Sequence, residues 1–267
     1  MSMLEGKGLT KRYGKRVVVN NISLSIKKGE IVGLLGPNGA GKTTTFYMMM
    51  GLIKPNKGQV FLNGKEITRM SVPQRARLGM GYLSQEPSIF RKLTVRENLL
   101  LVLENRNLPK NVRKEMADHL LEKFGLTELK DILGFNLSGG ERRKVEIARA
   151  LALQPSFLLL DEPFTGVDPL AIEDLKETIL RLRQEEGVGI LLTDHNVRDT
   201  LTITDRVFIM AMGKILISGS SREVAENPVA KEYYLGKKFR VPEELRESAS
   251  YEAGDEETSP PQNTSSP

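Results

Sequence analysis

The chain has 267 residues, no cysteine and a formal net charge of +5. That length accommodates one α/β core with a smaller lobe, or two modest domains, and the lack of cysteine excludes disulfides and thiolate metal sites. The charge is uneven: residues 241–267 hold seven acids and one base, a net of −6, which leaves +11 on the remainder.

In chain order, residues 1–30 read as an antiparallel opening, with 4–9, 17–19 and 22–26 alternating apolar and polar between turn signals such as Lys28-Gly29. Tyr13 falls in the bend Lys11-Arg12-Tyr13-Gly14, where a ring either stacks on a purine or packs on the sheet edge. Ile31-Val32-Gly33-Leu34-Leu35 is a short buried strand. It runs into Gly36-Pro37-Asn38-Gly39-Ala40-Gly41-Lys42-Thr43, and the chain continues from Thr44 as a helix. Strand, glycine-rich turn and helix with the G-x-x-x-x-G-K-[ST] spacing make a P-loop. The glycines let successive backbone N–H groups point into one concavity. The helix N-terminus adds unpaired donors and a positive dipole end. Lys42 can reach β- and γ-phosphates, and the Thr43 hydroxyl can sit on Mg²⁺. A nucleoside triphosphate is the expected ligand.

After the turn Pro55-Asn56-Lys57-Gly58, residues 59–62 and Asn63-Gly64 read as half a hairpin. A helix is predicted over 71–79 and a short buried strand over 80–83, ending near Gln85. From about Thr94 to Leu133 the periodicity is helical, with Leu99, Val102 and Leu103 on one face and Leu120, Leu121, Phe124 and Leu126 on another. Residues 86–153 thus read as a helical insertion between parallel strands, its last helix running over 141–153. Phe157-Leu158-Leu159-Leu160 is a buried strand closing on Asp161-Glu162. A helix over 169–186 has Asp168 as N-cap, Pro169 in its first position and Gly187 as its stop. Residues 188–193 form another buried strand, ending at Asp194-His195. Residues 207–210 and 215–217 make a hairpin about Gly213. The acidic, Pro/Ser-rich end, 241–267, reads as disordered. No apolar run approaches the roughly 20 residues that cross a bilayer, and residues 1–7 lack the apolar centre of a signal peptide. The expected protein is soluble, with any membrane spans supplied by other chains. The basic body fits nucleotide or phospholipid headgroups, and no aromatic-interleaved basic stripe marks a nucleic-acid binder.

Four further stretches carry chemistry. Asp161, at the end of an apolar strand beside the P-loop, can hold Mg²⁺ through water, and Glu162 can polarise an attacking water. Ser138 and Glu141 have the S-x-x-E spacing of a capping box. Gly139 and Gly140 weaken a first helical turn but admit a phosphate close to the backbone. Gln85 can face Mg²⁺ or water, although a surface glutamine is the commoner case. His195 either donates to a γ-phosphate or caps its strand; His119 reads as solvated.

Together these residues resemble the nucleotide-binding domain of ABC transporters, over about residues 3–240. Tyr13 matches the aromatic A-loop, 36–43 the Walker A motif, Gln85 the Q-loop and 137–141 the signature. Residues 157–161 with Glu162 match the Walker B motif, 166–168 the D-loop and His195 the H-loop. The resemblance implies an α/β P-loop NTPase core with an antiparallel β subdomain and a helical subdomain over about 86–153. It implies ATP and Mg²⁺ as cofactors. Tyr13, Gly36, Pro37, Asn38, Gly39, Ala40, Gly41, Lys42, Thr43 and Thr44 would bind the nucleotide. Thr43, Gln85 and Asp161 would hold the metal, and Glu162, His195 and Gln85 would act in catalysis. It further implies a homodimer in which Ser138, Gly139 and Gly140 of one copy close on the P-loop of the other. Two membrane-spanning subunits would dock near Gln85, Phe90 and Arg91, placing the chain on the cytoplasmic face of the inner membrane. Within the family, stretches such as 82–91, 141–149, 193–198 and 234–240 are similar to the lipopolysaccharide-export ATPases, with Ser84 where that group often has proline. The alternative is a branched-chain amino-acid importer ATPase. Ribosomal and DNA-repair relatives carry a second such domain or a long coiled coil, and neither is seen here.

Overall fold

Alternating runs of branched apolar residues, broken by glycine turns, build two sheets. The computed structural model describes residues 2–245. In it, β1 (Met3–Tyr13) and β2 (Arg16–Lys27) form one long antiparallel hairpin. The three stretches expected in this region are therefore two strands, whose register shifts at irregularities between Gly6 and Arg12. β3 (Ile31–Leu35) is buried along its whole length and leads through the glycine-rich turn to α1 (Lys42–Met50). β4 (Lys57–Leu62) returns beside β1, and the short β5 (Lys65–Glu66) completes an antiparallel sheet of order β2-β1-β4-β5.

α2 (Val72–Arg77) follows a capping box at Ser71 and brings in β6 (Met80–Leu83). Arg75 on α2 is fully buried without an acidic partner. Its guanidinium donates to the carbonyls of Met48 at 3.2 Å and Met49 at 2.5 Å, and also to those of Thr68 and Met70. Those first two carbonyls form the negative end of α1, so the arginine closes that helix where a water would otherwise sit. Burial pulls its pKa down to about 10.

α3 (Val95–Leu103), α4 (Lys110–Lys123) and α5 (Gly139–Leu151) form the helical stretch. Leu99, Leu103, Leu120, Leu121, Phe124 and Leu126 are buried there, as their spacing predicts, in a cluster that continues to Leu158 and Leu160 of the main sheet. α5 begins at Gly139 rather than Glu141 because Ser138 caps it. β7 (Phe157–Asp161), α6 (Pro169–Glu186) and β8 (Gly189–Thr193) follow, with Asp168 accepting the Ala171 N–H at 3.0 Å as the N-cap. α7 (Val197–Ile203), β9 (Arg206–Ala211), β10 (Lys214–Ser220), α8 (Ser221–Glu226) and α9 (Pro228–Ala230) follow, and a π-helical turn over Lys231–Leu235 leads into the last described residues. The second sheet has the order β10-β9-β3-β8-β7-β6, parallel except for β10. Packing runs past residue 240: Val241 and Leu245 rest on the cluster around Leu201, Ile209 and Val224. The tail expected to be disordered lies, from 246 on, outside the described residues.

Candidate active site

Because β3, β8, β7 and β6 are adjacent and parallel, the segments after their C-terminal ends meet along one edge of the sheet, where α/β proteins bind ligands. Those segments carry the P-loop, His195, Asp161-Glu162 and Gln85. Residues spread over 160 positions of sequence are thereby gathered by topology, not by local spacing.

The P-loop conformation explains two of its glycines. Gly36 has φ 146° and a side chain there would meet the Met210 carbonyl oxygen at 2.2 Å; Gly41 has φ 102° and would meet the Val18 oxygen at 2.7 Å. Neither position tolerates a Cβ. Lys42 is buried and its ammonium donates to the Gly36 and Pro37 carbonyls at 2.6 and 3.2 Å. Burial lowers its pKa, opposed by Glu162 and Asp161. A buried cation held by neutral carbonyls is poised for an anion. A cavity of about 300 Å³ opens here, lined by Asn38–Thr44, Glu162, His195, Arg16 and Val18. A larger one, about 480 Å³, lies between α4 and the 154–156 loop and contains none of these residues.

Glu162 is buried and takes a left-handed φ of 47° at the end of β7. Gln85 Nε2 donates to one carboxylate oxygen at 2.8 Å, and Thr165 Oγ1 donates to the same oxygen at 3.2 Å. His195 Nε2 lies 2.7 Å from the other. Of the three residues expected to share catalysis, Glu162 thus touches both of the others. Asp161 accepts the Thr193 hydroxyl at 2.9 Å through Oδ1, while its buried Oδ2 has no hydrogen-bond partner. Burial raises its pKa, with the Thr193 hydrogen bond opposing. A buried carboxylate whose second oxygen makes no hydrogen bond of ordinary geometry, with Tyr47 the other side chain acting on it, leaves room for a cation. Among the described residues no group of three or more His, Cys, Asp or Glu could hold a metal. A lone carboxylate beside a hydroxyl is the donor set that Mg²⁺ accepts, since that ion keeps waters and phosphate oxygens and needs only one or two carboxylates.

Other expectations fare differently. Tyr13 does not line the P-loop cavity. It is 49% exposed beneath the Lys11 ammonium, 5.3 Å away, and its cross-strand partner Arg16 lines the cavity instead. Ser138, Gly139 and Gly140 lie away from this chain's P-loop cavity. Ser138 makes the expected capping box with Glu141. The glycines have a packing reason that the sequence did not disclose. A Cβ on Gly140 would fall 2.6 Å from the Ala171 Cβ, and one on Gly139 would fall 3.0 Å from the Gly166 oxygen. His119 is exposed. Phe90 is 44% exposed, with the Arg149 guanidinium 4.7 Å above its ring. Thr165 and Thr193 were not singled out; only their places beside Glu162 and Asp194 hinted at roles.

Residues 19–165 match the ABC transporter family. The chain belongs to that family. A lipopolysaccharide export system ATP-binding protein LptB from Haemophilus influenzae is 51% identical over 242 residues, covering 90% of this chain and 100% of that protein. A nucleotide-free ATP-binding cassette of an ABC transporter superposes with a TM-score of 0.79 at 28% identity, covering 88% of this chain and 100% of that one. A dimeric cassette in a post-hydrolysis state bound to ADP and phosphate gives 0.72 at 25% identity, covering 82% and 98%. As an ABC cassette the chain is an ATPase with the P-loop NTPase fold.

Proposed function

We propose that this ABC ATPase is the motor of a lipopolysaccharide exporter, working as a homodimer beneath two membrane-spanning subunits. The observation that carries the hydrolytic part is Glu162, held between Gln85 and His195 at the rim of the P-loop cavity. The cargo rests on the similarity to LptB over nearly the whole of that protein.

ATP places its phosphates against the backbone of residues 36–44, and Lys42 exchanges two carbonyl partners for phosphate oxygens. Thr43, Asp161 and Gln85 are the residues that would hold Mg²⁺, which would supply charge neutralisation at those phosphates. Glu162 accepts a proton from the attacking water, and His195 donates to the γ-phosphate once that phosphate competes for its Nε2. The left-handed turn keeps the Glu162 carboxylate aimed at the cavity instead of lying along the strand. Ser138, Gly139 and Gly140 serve the partner's nucleotide. Leu170, 83% exposed at the start of α6, is an apolar residue on the same side for that partner to cover.

Gln85 precedes the loop carrying Phe90 and Arg91, both exposed. This loop is the docking place for the membrane subunits. No helix among the described residues is long and apolar enough to cross a membrane; this chain works from the cytoplasmic face of the inner membrane. Purifying the native complex and identifying its subunits tests the proposal. Two membrane-spanning proteins and lipopolysaccharide extraction that stops in Glu162→Gln are expected. Co-purification with a small-solute permease instead would overturn the cargo.

A further inference from the structure

We propose that Arg143 and Glu146, one turn apart on α5, are positioning residues for hydrolysis that tie the placement of Glu162 to that of the loop after Gln85. Both are buried, 6% and 3% exposed. Arg143 Nη2 donates to the carbonyls of Asp161 at 3.1 Å and Glu162 at 3.4 Å, and its Nε to that of Pro163 at 3.2 Å. These are three successive carbonyls of the turn that aims Glu162. Nη1 donates to the carbonyl of Ser84, the residue before Gln85, at 2.8 Å and to Glu146 Oε2 at 3.1 Å. The other Glu146 oxygen accepts the backbone N–H groups of Ser88 at 2.6 Å and Ile89 at 3.2 Å.

The strand ends after β6 and β7 are therefore joined twice. Gln85 and Glu162 link them through side chains, and Arg143 links them through their backbones. Glu146 extends the second link to residues 88 and 89, next to exposed Phe90. A planar guanidinium that spans both loops cannot follow one without pulling on the other. A movement of the 88–89 loop displaces Glu146, then Arg143, then the carbonyls that fix Glu162. Neither side chain lines the P-loop cavity, so the pair governs turnover without touching nucleotide.

This inference rests on Glu162 being the group that acts on water, and the test separates the two. The full-length protein is assayed with Mg-ATP, with trinitrophenyl-ATP as the binding probe and thermal melting as the folding control. Glu146→Gln keeps an oxygen for Ser88 and Ile89 but turns an NH₂ group toward Arg143. It should lower kcat by about 10- to 100-fold, the scale for a 1 Å misplacement, with KM for ATP and probe binding per folded protein unchanged; melting falls as the Arg143 charge loses its partner, but the protein stays folded at the assay temperature. Arg143→Lys keeps the charge but not the span, and should give the same kcat-only loss. The double variant should be no slower than the worse single one. Glu146→Asp should recover part of the rate lost in Glu146→Gln. Parent-rate turnover in Glu146→Gln with an inactive Glu162→Gln overturns the relay alone; parent-rate turnover in Glu162→Gln overturns the role of Glu162. Losses in kcat that only track lost probe binding or lost folded protein overturn the relay in favour of a structural role.

Discussion

Glu162 is a buried carboxylate with both oxygens engaged and a backbone conformation that few non-glycine residues adopt. Strain of this kind persists where the surroundings over-determine it, and here they do so from three strand ends. Replacing it by glutamine keeps the shape and the contact with Gln85 but removes the proton acceptor. Glu162→Gln should turn over at least about 100-fold more slowly while binding ATP as the parent does; phosphate release and a nucleotide-binding titration check both. Lys42→Ala acts earlier. Its charged hydrogen bonds to phosphate are lost, so ATP affinity should fall about 10- to 100-fold, measured by the same titration. At this scale the sequence was most informative where chemistry needs a fixed spacing, as in 36–43. It could not show that Gly140 is also required by packing. That requirement arises because α6 brings Ala171 within 2.6 Å of where its side chain would be. Gly140→Ala should therefore cost about 1–3 kcal/mol of stability through overpacking, read by thermal melting, in addition to any loss of activity.

The elements legible in the sequence were those whose ends are marked chemically. The strand and turn of the P-loop, the Asp168-Pro169 start of α6 and its Gly187 stop all fell where capping and backbone rules put them. α7, α8 and α9 were not anticipated, because they are short and take their caps from Asn196, Ser220 and Asn227 in polar stretches that also read as loops. The long β1–β2 hairpin looks like shorter pieces in the sequence because its irregularities interrupt the alternation. Nor does any local pattern reveal that Arg75 of α2 closes α1. Arg75→Ala leaves several buried carbonyls without donors and should cost about 3 kcal/mol. Chemical denaturation should show a lower midpoint, and ATP affinity should fall with it because α1 carries the P-loop.

At the scale of the whole molecule, the residues expected to meet nucleotide fall in two separate places. The P-loop, Asp161, Glu162, Gln85 and His195 share one edge of the sheet, while Ser138, Gly139 and Gly140 sit at the start of α5, off that cavity. Under the proposed function, one chain does not close the site alone, and a two-fold pair would complete two sites at once. The most direct measurement is the solution mass of Glu162→Gln by light scattering, with its membrane subunits and saturating Mg-ATP, compared with the same protein carrying Ser138→Arg. The account predicts two copies per assembly in close, nucleotide-dependent association for the first and loss of that association for the second. Copies that remain apart with nucleotide bound, or that associate equally well with arginine at position 138, would contradict it.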